Sequence, residues 1–243
     1  MRIKEKICLD KKGLEKHGAI CIVAFGDSVT HGCFGIDETD YESVYHEVLK
    51  KKILATSNYV PVNVINAGIG GTCAYESLSR LESQVLSHNP DLVIVAFGLN
   101  DVNRPIEEYL FALERIFSES SGRGAETVFL TPNMLCTYVA EDAPQRYIES
   151  AKRCAGHQSS GRMDEFMDKA RALARRMNVK VADCYAAWKE LAKTEDTTLL
   201  LANRINHPTR EMHKLFADKI FECIFDREAP SSGKRESGMY END

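Results

Sequence analysis

Residues 19–32 read AICIVAFGDSVTHG. Eight apolar or small residues run without interruption and then stop at Gly26-Asp27-Ser28. Such a run, too short for a membrane span, reads as a strand buried on both faces. A serine directly after it is either a turn residue or a nucleophile presented at the strand's carboxyl end. The rest of the chain decides which.

Four more runs of this kind follow. PVNVINAG (61–68), DLVIVAFG (91–98), ETVFLTP (126–132) and VKVADC (179–184) are predicted strands. Between them lie segments of helical period. Tyr41, Val44, Tyr45, Val48 and Leu49 share one stripe over 41–53. Leu78, Leu81, Val85 and Leu86 mark a second helix, and Ile106, Tyr109, Leu110, Leu113 and Phe117 a third. Phe166, Met167, Ala170, Leu173, Ala174 and Met177 mark a fourth, and a last helix spans about Thr209 to Phe225. Strictly alternating strands and helices imply a parallel sheet covered on both faces. The expected fold is a three-layer α/β/α, flavodoxin-like domain with a five-stranded sheet of order 2-1-3-4-5. Residues 1–228 read as a single domain. Residues 229–243, polar and rich in Gly and Ser, read as a disordered tail. Residues 135–162 are less regular and read equally as a flap over a site or an exposed connection.

Composition narrows the function classes. The chain has 243 residues, 28% charged, with a net charge of −5. That balance argues against a nucleic-acid partner. Its longest basic run, Lys50 to Lys52, reads as a solvated helix face. Of eight cysteines, no two are spaced as CxxC, and no His/Cys cluster has zinc spacing. This suggests reduced thiols in a cytoplasmic protein, with no metal and no cofactor. No run approaches transmembrane length, so no membrane partner is expected.

In a doubly wound sheet, ligands bind beyond the carboxyl ends of the strands. Strand one ends at Ser28, strand two at NAGIGGTCA (66–74), and strand three at GLND (98–101). The order 2-1-3 puts strand one between the other two, with neighbours about 4.8 Å apart. Ser28 is therefore flanked by Gly71 and Asn100. Acyl transfer needs a nucleophile with hydrogen-bond donors beside it. The backbone N–H of Gly71, the side-chain amide of Asn100 and the N–H of Ser28 itself form such a set. His207, in NRINHPT after strand five, emerges at the same edge and is the candidate base. Taken singly, each residue has a plainer reading: Ser28 in a βα turn, the glycines as turn formers, Asn100 in an Asx-turn, His207 as a loop cap.

Together these four blocks resemble the GDSL, or SGNH, hydrolase family. The resemblance spans about residues 19–225 and implies a flavodoxin-like fold and hydrolysis of esters or thioesters. It assigns Ser28 as nucleophile, Gly71 and Asn100 as oxyanion donors (Gly70 if the alignment slips by one) and His207 as base. By analogy it also points to short acyl groups, such as acetyl on carbohydrate, in a small-molecule ester; thioesters and lysophospholipids stay open. An acyltransferase would use the same residues while excluding water. One position departs from the pattern. The family carries Asp three residues before the histidine, and here Arg204 stands there. Loss of that acid in a serine protease costs about 10⁴ in turnover. A local acceptor on the loop, a backbone carbonyl of Arg204, Asn203 or Asn206, is the expected substitute, with Asp183 a more distant candidate. Two rival readings are a nucleotide- or phosphate-binding module built on GIGGTC (68–73), with Asp91 as its acid, and a binding protein that kept the fold without turnover. The first is weakened because GIGGTC lacks the last glycine of GxGxxG and Asp91 starts strand three.

Overall fold

The computed structural model describes residues 1–57 and 59–225. Residues 226–228 of the expected domain and the whole tail 229–243 lie outside the described residues. Five strands form one parallel sheet: β1 (Ile20–Gly26), β2 (Val62–Gly68), β3 (Leu92–Ala96), β4 (Glu126–Leu130) and β5 (Lys180–Ala182), in the order β2-β1-β3-β4-β5. This is the expected doubly wound topology, and the strands end within two or three residues of the predicted bounds.

Burial follows position in the sheet. All five residues of β3 are buried, as is most of β1, because helices cover both faces of the centre. The edge strand β2 exposes Asn63 and Asn66. The helix Tyr45–Thr56 buries Tyr45, Leu49 and Ile53, one every fourth residue. It packs on the helix Arg210–Phe225, which buries Phe216, Ala217, Ile220 and Ile224. The helices Ile106–Gly122 and Arg162–Arg176 form a second pair, meeting through rings such as Tyr109 and Phe166, whose centroids lie 5.7 Å apart. One expected helix start moves. Asp40 accepts the N–H groups of Glu42 and Ser43, both at 3.0 Å, so residues 41–44 form a turn and the helix begins at Tyr45. Tyr41 is exposed and outside the helix. The segment around Leu78–Leu86 is also broken, into short α and 3₁₀ turns.

At the amino end of the sheet, Lys6 is buried and donates to both carboxylate oxygens of Asp91, at 2.9 and 2.8 Å. Asp91 also accepts the Cys21 N–H at 2.8 Å. It therefore staples the chain start to β1 and β3 on the rim opposite the strands' carboxyl ends, too far from GIGGTC to read a nucleotide held there. Among the described residues, no helix is long and apolar enough to cross a membrane.

The carboxyl rim is built on two contacts that no side chain would permit. A Cβ on Gly26 would sit 2.1 Å from Thr30 Oγ1 and 2.6 Å from the Ala96 carbonyl oxygen. A Cβ on Gly68 would sit 2.3 Å from the His31 backbone nitrogen. Both glycines let the turn after β1 lie directly on the strand ends. Gly68→Ala should therefore destabilise the protein by about 1–3 kcal/mol, as overpacking against backbone does. The expected readout is a lower urea midpoint at unchanged m; an unchanged midpoint would mean the turn can move away freely.

Candidate active site

Ser28 opens a single helical turn, Ser28–His31, immediately beyond β1. Asp27 caps it: its Oδ1 accepts the Val29 N–H at 3.0 Å. Gly32, at φ 103°, ends it in the left-handed region that glycine adopts freely. Thr30 is held underneath by the Tyr45 hydroxyl at 2.9 Å. The nucleophile candidate thus rests on a turn fixed at both ends and from below, with Ser28 itself only 7% exposed.

His207 reaches the same point from the far end of the chain. Its loop is tied across the Leu201–Pro208 bridge, and the Asn203 side-chain oxygen accepts three successive N–H groups, from Ile205, Asn206 and His207, at 2.9–3.0 Å. Asn133, beyond β4, donates to the Asn206 carbonyl at 2.9 Å and anchors the loop to the sheet. The imidazole Nε2 lies 2.9 Å from Ser28 Oγ, and Nδ1 lies 3.1 Å from the backbone carbonyl oxygen of Phe34. A carbonyl only accepts, so Nδ1 carries the proton and Nε2 is left to accept from the Ser28 hydroxyl.

The acceptor that orients the imidazole is therefore not on the NRINH loop. Arg204, at φ 59°, turns away; it donates to Asp142 at 2.8 Å and to the carbonyls of Leu199 and Leu201, both at 3.0 Å. Asn203 and Asn206 fold the loop and bond each other at 2.9 Å, but neither meets the ring. Asp183 caps the helix Cys184–Leu191 and accepts from Arg171 and Thr131. The carbonyl comes instead from the hairpin-like loop after Ser28, closed by the Cys33–Thr39 bridge. That loop is clamped by the last helix. The Phe34 ring is buried 4.6 Å from the His213 ring, the Arg210 guanidinium lies 4.7 Å over its face, and Arg210 pairs with Glu38 and Asp40 at 2.7 Å each. A backbone carbonyl carries no residue signature, so nothing at Phe34 marked it in the sequence.

The donors expected beside Ser28 are brought to the rim. In register, Gly26 is opposite both Gly68 on β2 and Ala96 on β3, so the loops carrying Gly71 and Asn100 leave the sheet on either side of Ser28. Gly71 takes φ 79°, and among the described residues neither its N–H nor that of Ser28 has an acceptor. Asn100 spends one amide proton on the Thr72 carbonyl at 3.0 Å and keeps the other. Gly70 differs: its N–H donates to His31 Nδ1 at 3.3 Å. That bond separates the two neighbouring glycines and leaves Gly71 as the open donor. It also explains His31, which serves the glycine loop and leaves Ser28 alone.

The electrostatics below the rim are unusual. Burial pushes the Asp27 carboxyl up to about 7, and burial pushes Asp101, beyond β3, up to about 7 as well. With pKa values near 7, each carboxyl carries only part of its negative charge at neutral pH, which reduces the charge held beneath the rim. Burial lowers the His207 pKa, partly offset by the Phe34 carbonyl, which favours the neutral imidazole. His46 and His213, both on helices, are fully buried and held neutral by burial, well below the usual histidine range. Above the rim a cavity of about 440 Å³ is lined by Ser28, Gly71, Asn100 and His207 and, from the irregular segment, by residues of the helix Ile148–Ser159. That segment therefore forms one wall of the site. Among the described residues, no group of three or more His, Cys, Asp or Glu side chains is placed to hold a metal ion.

Known proteins share this architecture. The chain is 25% identical over 230 residues to an uncharacterized lipoprotein, YqeF, of Bacillus subtilis (strain 168), covering 88% of this chain and 91% of the relative. It is 24% identical over 205 residues to an acetylxylan esterase of Geobacillus stearothermophilus, covering 81% and 90%. Among solved structures it superposes on the acetylxylan esterase Axe2 of that organism with a TM-score of 0.67 at 21% identity, covering 87% of this chain and 97% of the other. A lipase/acylhydrolase of Enterococcus faecalis gives a TM-score of 0.64 at 26% identity, covering 83% and 93%. The sequence model of the GDSL-like Lipase/Acylhydrolase family matches residues 24–215, which include Ser28, Gly71, Asn100 and His207. The chain belongs to that family, and it is a carboxylic ester hydrolase.

Proposed function

We propose that Ser28 and His207 are a catalytic dyad that hydrolyses small, short-acyl esters through an acyl-enzyme, with O-acetylated carbohydrate as the substrate class. The observation that carries this reading is the 2.9 Å approach of His207 Nε2 to Ser28 Oγ, with Nδ1 bonded to the Phe34 carbonyl. The substrate class rests on the acetylxylan esterase relative. A cytoplasmic setting is part of the proposal and is supported by the free, buried thiols of Cys73, Cys136, Cys154 and Cys184.

The reaction runs in two halves. Nε2 takes the Ser28 proton as Oγ attacks the ester carbonyl carbon, and the carbonyl oxygen becomes an oxyanion between the N–H groups of Ser28 and Gly71 and the free amide proton of Asn100. The tetrahedral adduct collapses, the C–O bond to the alcohol breaks, and the alcohol takes the proton from Nε2. Water then gives a proton to Nε2 and attacks the acyl carbon; the second adduct collapses, releasing the acid and returning the proton to Ser28 Oγ. The imidazolium formed twice in each cycle is stabilised by a carbonyl dipole, where the family pattern would place a carboxylate.

The following outcomes are expected from this geometry. Ser28→Ala and His207→Ala should each lower kcat on para-nitrophenyl acetate by about 10³-fold or more. Ser28→Ala should also abolish labelling by a fluorophosphonate probe; persistent labelling elsewhere would displace Ser28 from the role. Because the base acts only when neutral and burial lowers its pKa, the acid limb of kcat/KM should have its midpoint below 6.5, the ordinary histidine value. A midpoint above that would contradict a buried, carbonyl-bonded imidazole. Arg204→Asp should not raise kcat, since Nδ1 is already engaged. It should lower the melting temperature, by the loss of about 1–2 kcal/mol of hydrogen bonding to the Leu199 and Leu201 carbonyls.

A further inference from the structure

Three side chains with a formal charge line the cavity: Asp37, Glu38 and Arg153. The two acids are spoken for, Asp37 by Arg146 and Glu38 by Arg210. Arg153 is different. It stands on the helix Ile148–Ser159, and its one hydrogen bond is from Nη2 to the neutral Ser150 hydroxyl at 3.0 Å. Glu149, one turn before it, is bonded to Lys152 at 2.7 Å. Among the described residues, no carboxylate lies within ion-pair distance of the Arg153 guanidinium. Glu149 feels the Arg153 charge at longer range, but among these residues no carboxylate is bonded to it, so the cavity of a protein with net charge −5 presents one cation without a bonded counter-ion.

From this placement we propose that the cavity accepts esters bearing a second, anionic group, a carboxylate or a phosphate, and that Arg153 binds that group while the ester lies at Ser28. This rests on the reading of Ser28 and His207 given above and specifies its substrate. A guanidinium is weakly hydrated and presents a planar fork of donors that matches both oxyanions. The remaining polar liners on this side, Ser150, Asn103 and Tyr147, are neutral and raise no opposing charge. Arg153 is solvent-exposed where it lines the cavity, so an incoming anion can reach it, and its positive field draws anions to the opening.

The test pairs acidic and neutral esters of the same skeleton. Para-acetoxybenzoate against its methyl ester places the charge on the alcohol half; para-acetoxyphenyl phosphate against para-acetoxyanisole asks for phosphate. Para-nitrophenyl hemisuccinate against para-nitrophenyl butyrate places the charge on the acyl half. In at least one pair the acidic ester should be favoured about tenfold in kcat/KM at low salt, mainly through KM, with the preference shrinking as salt rises. Arg153→Gln should bring that ratio to about one, and Arg153→Lys should keep part of it. Equal rates in every pair, or a preference that survives Arg153→Gln, overturns the assignment of Arg153. Binding measured without turnover separates it from the catalytic reading. Calorimetry of Ser28→Ala with para-hydroxybenzoate, para-hydroxyphenyl phosphate and succinate should show binding by at least one anion that is lost in Ser28→Ala/Arg153→Gln. No binding by any of them counts against the anion site even if esters are hydrolysed, whereas inert esters with intact anion binding count against the dyad alone.

Discussion

The site depends on one packing constraint: the turn carrying Ser28 must lie flat on the ends of three parallel strands. Gly26 and Gly68 make this possible, since a methyl group at either would collide with the turn itself. Because Gly26 is in register with both Gly68 and Ala96, the loops that follow β2 and β3 emerge on the two sides of the serine. The proposed oxyanion donors are then set by the sheet rather than by flexible side chains. Preorganised donors of this kind need no rearrangement as charge develops.

The substitution of Arg204 for the family's aspartate is resolved by distance along the chain. An imidazole base needs an acceptor for Nδ1–H, and a carbonyl can fix the tautomer as a carboxylate does. It supplies less charge to stabilise the imidazolium. The Phe34 carbonyl meets His207 because the loop after Ser28 is clamped to the last helix through Arg210, Glu38 and Asp40, with the Phe34 ring wedged against His213. Arg204, freed from contact with the base, has a structural task instead, tying the loop to the carbonyls of Leu199 and Leu201.

Asp27 and Asp101 show a related economy. Each accepts a backbone N–H at the start of a turn, Val29 in one case and Ala74 in the other. Both are buried under the rim, where a full negative charge would oppose the proposed oxyanion. Burial raises their pKa values toward neutrality, so the same carboxyls can organise the turns while carrying less charge.

The chain order of strands and helices, the sheet order and the convergence of Ser28, Gly71, Asn100 and His207 were all legible from local pattern. The signals there are apolar runs, helical stripes and short motifs at strand ends, each written in consecutive residues. Strand order then carries those motifs to one edge without further information. The acceptor of the His207 proton, the bond that takes Gly70 out of competition with Gly71, and the lining of the cavity by the helix Ile148–Ser159 were settled only in three dimensions. Each is made by backbone groups or by segments far apart in the chain, joined through side chains such as Arg210 and His31 whose partners no spacing announces. A main-chain carbonyl is the same chemical group at every position, so only the fold can say which one stands 3.1 Å from a given imidazole.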